Sequence, residues 1–211
     1  MNTPQTRIIN GKSHQLAMQL RHCVISLVLI IVCPLSAPAQ QGHTHEAPEL
    51  SREIPAEQKA KASALIEIVR RATERFKDVA VAEAEGYKLQ FGCVTGSDSG
   101  AMGLHYVNSR LVGEGELDAA RPHIVIYEPA ANGRLQLTGA DYLLIADAWN
   151  AKHKSPPELM GQLFHLFETP NRFGLPAFYT LHVWAWKDNP NGAFVNWHPK
   201  VSCDSFAATN P

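Results

Sequence analysis

Apolar residues between positions 65 and 79 recur at the spacing of a helix face. Leu65, Ile68, Val69, Ala72, Phe76 and Val79 follow an i, i+3, i+4, i+7 rhythm, and Lys59, Glu67, Arg70, Arg71 and Glu74 fall mostly off that stripe. Pro55 stands at a favoured first helical position and Gly86 at a favoured stop. The pattern predicts an amphipathic helix of about 20–25 residues whose apolar side covers a sheet.

From residue 87 the rhythm changes to alternation. Residues 87–91, 104–108 and 123–127 read as strands, and 92–103 as a loop rich in glycine and serine. Residues 110–121 form a polar, partly helical connection. Asn132-Gly133 is a hairpin signal with 134–138 as its return strand. Residues 142–148 read as a strand or the start of a short helix. Pro156-Pro157 opens a helix over 158–167. The longest strand is expected at 177–186, followed by the turn Asn189-Pro190-Asn191-Gly192 and a return strand at 193–197. These elements predict an α+β fold: a long N-terminal helix packed on a curved, mainly antiparallel sheet, a roll or cone, with one inserted helix. An open ferredoxin-like sandwich is the alternative.

Ahead of these elements lies a different pattern. Arg21 precedes a mostly apolar run from Cys23 that Pro34 interrupts, and Ala37 and Ala39 supply a small-x-small cleavage site. Residues 1–39 therefore read as a secretory signal peptide, with translation expected to begin at Met18. The run is too short for a membrane span. Residues 40–54 read as a flexible leader and 55–211 as a single α+β domain. The expected location is exported, periplasmic or extracellular, with no stable membrane insertion after processing.

Export changes the charge and the cysteine chemistry. Losing Arg7, Lys12 and Arg21 takes the formal net charge from −1 to −4. With no Lys/Arg cluster, nucleic acid is not an expected partner. Only Cys93 and Cys203 remain after processing. In an oxidising compartment they most simply pair, the alternative being two buried free thiols. A bridge over about 110 residues is worth on the order of 4–5 kcal/mol in the chain-entropy view.

The strand near residue 180 carries the clearest candidate chemistry. One face holds Tyr179, Leu181, Val183 and Ala185, an obvious core. The other holds Phe178, Thr180, His182, Trp184 and Trp186. That second face is either another buried layer or the wall of a pocket. His105 follows the glycine-rich loop, beside Tyr106, and Glu128 ends the apolar run Ile124–Tyr127 ahead of Pro129. His105, Glu128 and His182 lie on separate strands and suit a divalent metal ion with open positions. Asp141 is a further ligand or a partner of one. The ligand-binding set is His105, Tyr106, His182, Trp184 and Trp186. A P-loop, dinucleotide fingerprint, zinc-protease helix and haem motif are all absent.

Three segments carry a resemblance. They are Gly100-Ala101-Met102-Gly103-Leu104-His105-Tyr106-Val107-Asn108, Tyr127-Glu128-Pro129, and residues 181–192, Leu-His-Val-Trp-Ala-Trp-Lys-Asp-Asn-Pro-Asn-Gly. Over residues 76–203 the chain resembles a family of exported prokaryotic proteins with no assigned activity. The resemblance implies relatives of similar size and carries no activity to transfer. The leading expectation is an exported, disulfide-linked domain that binds a small molecule or a metal ion in an aromatic-lined pocket. A metal-dependent enzyme using His105, Glu128 and His182 is the second reading, and a structural or interaction module the third. Ligand identity and oligomeric state are not legible.

Overall fold

The computed structural model describes residues 54–96 and 98–209, with side chains as far as residue 206. The expected signal peptide and nearly all of the leader lie outside these residues.

Helical structure begins at Ala56, directly after Pro55, and comes in three pieces. Helix α1 spans Ala56–Thr73, a 3₁₀ turn follows over Glu74–Lys77, and α2 spans Val79–Ala84. The single long helix expected from the apolar spacing is thus interrupted. Asp78 is the cause: its backbone is extended, and its carboxylate accepts a hydrogen bond from the Ala80 amide at 3.0 Å, capping a new helix.

The strands are β1 (Lys88–Thr95), β2 (Ala101–Val107), β3 (Ile124–Pro129) and β4 (Leu135–Ile145), with α3 (Ser109–Glu114) between β2 and β3. Then come α4 (Ala146–Asn150), β5 (Glu158–Leu159), β6 (Gln162–Leu163), β7 (His165–Phe167), β8 (Phe178–Val183) and α5 (Asp204–Thr209). Six strands form one antiparallel sheet in the order β1-β2-β3-β4-β8-β7, curled like part of a barrel. The α+β class and the curved antiparallel sheet follow the alternation read from the chain.

Three local expectations are corrected. Residues 158–167 are short strands instead of the inserted helix. Met160 and Gly161 both have positive φ, 51° and 83°, as a tight hairpin turn requires between β5 and β6. β4 is the longest strand at 11 residues and absorbs two segments read as separate, whereas β8 stops at Val183 after six. Residues 193–197 form no strand. Asn189 holds that return as a loop, accepting from the Asn191 amide at 3.0 Å and donating to the Trp197 carbonyl at 2.9 Å.

The sheet has two apolar faces. On one, Leu65 and Val69 of α1 pack against Ala140, Tyr142, Leu144, Leu181 and Val183. Phe76 and Ala82 extend this layer over Leu104, Tyr106, Val125 and Tyr127, and the Tyr127 hydroxyl donates to the Phe76 carbonyl at 2.7 Å. The opposite face buries Val107, Ile124, Ile126, Leu143 and Phe178 under Phe167, Phe173 and Leu175. Cys93 and Cys203 form a disulfide, with Cα atoms 5.7 Å apart, tying the C-terminal segment to β1. No helix among the described residues is long and apolar enough to cross a membrane.

Candidate metal centre

Three polar side chains project into the apolar face that turns away from α1. They are His105 of β2, Asp141 of β4 and His182 of β8, all buried. Asp141 sits directly opposite His182 in the β4–β8 ladder. His105 belongs three ladder steps from β8, and in a flat sheet it would stand about 14 Å away. Its ring centroid is instead 6.5 Å from that of His182. Sheet curvature brings the two histidines together, and each offers a ring nitrogen within 4.8 Å of the other and of an Asp141 oxygen.

Each of the three side chains is held differently. His105 Nδ1 lies 3.1 Å from the Gly103 carbonyl. Donating there requires the proton on Nδ1, which leaves the Nε2 lone pair for an ion. Asp141 Oδ1 accepts from the Thr180 hydroxyl at 2.5 Å. His182 has no polar partner at either ring nitrogen, and both are buried. Its ring is stacked at 4.3 Å on Trp184, which is itself fixed by a 2.7 Å hydrogen bond from Nε1 to the Val195 carbonyl. His198 also meets Trp184, edge-on at a centroid distance of 4.8 Å.

Burial drives all three groups toward their uncharged forms. It pushes the His105 pKa down to about 4, against the hydrogen bond to Gly103. It pushes His182 well below the usual imidazole range, with His105 and His198 adding in the same direction. It raises the Asp141 carboxyl to about 7, opposed by hydrogen bonds from Thr180 and from the backbone of Tyr142 and Leu181. A divalent cation would reverse the balance by taking a lone pair from each ring and drawing the charged form of the carboxylate. Metal–ligand bonds near 2.1 Å in a tetrahedral arrangement place ligand atoms about 3.4 Å apart. An ion bound here would need these ligand atoms to close by at most about 1.4 Å, within reach of side-chain adjustment on a fixed sheet.

Of the residues singled out from the sequence, His105, His182 and Trp184 come together here. Glu128 does not. Its carboxylate is held by Lys187 Nζ at 2.5 Å and by the Ser202 amide at 3.4 Å, and Asp141 takes the place expected of it. Trp186 leaves the His182 face because the β8 ladder ends at Val183. Its indole Nε1 donates to Thr73 Oγ1 at 2.9 Å on the helix side, with the Lys77 ammonium 3.9 Å above the ring. Tyr106 also faces the helices, 5.1 Å edge-on to Tyr127. Thr180 was visible on the His182 face but not as a partner of Asp141. That role follows from the strand register, which period two alone does not give.

Comparison of the chain with protein-family models, with curated proteins and with solved structures gave no match.

Proposed function

We propose that this protein is an exported domain that binds one divalent transition-metal ion through His105, Asp141 and His182. The observation that carries the reading is His182: a fully buried imidazole with both nitrogens unpaired, placed where a second imidazole and a carboxylate converge. A buried polar group without a partner costs about 1–3 kcal/mol, so a core rarely keeps one that nothing satisfies. An ion satisfies one nitrogen directly. Imidazole ligands suit zinc, copper, iron or nickel, and two histidines with one carboxylate leave positions open.

Export is supported by the signal-like pattern of residues 1–39 and by the Cys93–Cys203 disulfide, a bond that persists in oxidising compartments.

The test uses cobalt(II), whose visible spectrum reports its coordination. Titration should give bands that saturate at about one ion per chain, as one His/Asp/His site requires. His105→Ala, Asp141→Ala and His182→Ala should each abolish them. Bands of equal strength in wild type and all three variants would exclude this site.

A further inference from the structure

An apolar cavity adjoins this centre. His105, Asp141 and Thr180 form its floor, and Phe91, Phe173 and Phe178 are among its walls. His182 does not border it. An ion held by the three ligands would thus have His182 behind it and the cavity in front, on the side of His105 and Asp141. The cavity volume is about 30 Å³. A buried water needs roughly 10–15 Å³ of such space, so the inner part of this cavity, which opens to solvent, has room for about two molecules of that size.

The lining selects as well as limits. The Thr180 hydroxyl is committed to Asp141, which leaves Asn196 as the polar side chain free to meet a guest at the wall. An anion entering here would lose its hydration to phenylalanine and aliphatic surface. A neutral molecule loses little.

Phe91 is a built part of this wall. The β1–β2 register slips between Gln90 and Cys93, directly after the pair Gln90–His105. Phe91 and Gly92 form the resulting bulge, with φ of 63° and 64°. Positive φ is a strained conformation for a phenylalanine, and bulges beside sites serve to re-aim side chains. The bulge turns the Phe91 ring, 45 % exposed, onto Phe173 at a centroid distance of 5.4 Å. It stands at the solvent side of the cavity.

We infer that the open coordination positions of the ion face this cavity and receive a small neutral molecule of dioxygen or nitric oxide size, with Phe91 controlling entry. The inference rests on the metal reading above and adds the class of ligand that reaches the ion.

The experiment loads the full chain with iron(II) without oxygen, measures bound iron by element analysis, and adds nitric oxide. Wild type should give the quartet-spin resonance signal of an iron–nitrosyl, and azide should not displace it. Phe173→Trp, which fills the cavity, should retain iron and lower nitric oxide affinity at least about tenfold, a loss of about 1.4 kcal/mol. Phe91→Ala, at an exposed position, should retain the signal and speed nitric oxide association severalfold. Bound iron with no nitrosyl signal would overturn the inference and leave the metal reading standing. So would signals and rates unchanged in both variants, or displacement by azide. Failure to bind iron, zinc or cobalt would remove the metal reading and this inference together.

Discussion

His182 behaves differently in a metal centre and in a core. If it is kept for an ion, the metal-free protein gains nothing from its nitrogens, and His182→Leu removes an unsatisfied buried group. That variant should unfold at equal or higher urea concentration, with a gain of up to about 1–3 kcal/mol, yet lose all stabilisation by metal. A clear loss of metal-free stability would mean that the ring has a structural partner. The same burial sets an acid limit. His105, His123, His182 and His198 have lowered folded-state pKa values, His105 to about 4, while the unfolded imidazole titrates near 6.5. Below 6.5 the unfolded chain therefore binds more protons, and folding stability falls toward pH 4. Asp141, raised to about 7, acts oppositely as pH falls from 7 toward 3.8, but it is one carboxyl against four imidazoles. Urea midpoints of metal-free protein should decline from pH 6.5 to pH 4. A midpoint that rises over that interval would contradict neutral burial of these rings.

Strand pairing turns separate residues into a site, and two features of the fold around it can be tested. Gly139 lies at the β4–β8 junction, where an added Cβ would meet the Val183 carbonyl oxygen at 2.2 Å. Gly139→Ala should push β8 off β4 beside the Asp141–His182 pair, costing about 1–3 kcal/mol or more and weakening metal binding with it. A variant that binds cobalt as wild type does would show the junction to be slack. The disulfide holds the C-terminal segment against β1 near Trp184. Replacing Cys93 or Cys203 with Ser should lower stability by about 2–5 kcal/mol, measured by urea unfolding without reductant. Element types were largely legible in the chain because alternation and turn residues are local signals. The helix expected over 158–167 does not form because Met160-Gly161 adopts a left-handed hairpin turn that a side-chain rhythm does not encode. Period-two alternation does not hold as far as Trp186 because the ladder stops three residues before it.

At the scale of the whole molecule, curvature decides the chemistry. Both histidines were visible as candidates from strand position, and Asp141 as a possible partner. Choosing Asp141 over Glu128 needed the β3–β4 and β4–β8 registers together with the 6.5 Å approach of His105 to His182 across a curled sheet. The cavity was not legible, since Phe91, Phe173 and Phe178 come from a bulge, a loop and a strand far apart in sequence. An ion that binds only the folded chain stabilises it by about 2.7 kcal/mol at a hundred times its Kd, which for a domain of this size raises Tm by about 5–10 °C. The most direct measurement is calorimetric titration of metal-free protein with zinc, wild type beside His182→Leu. A centre at His105, Asp141 and His182 requires saturable binding of about one ion per chain in wild type and none in the variant. Equal binding in both proteins, or none in wild type, would contradict it.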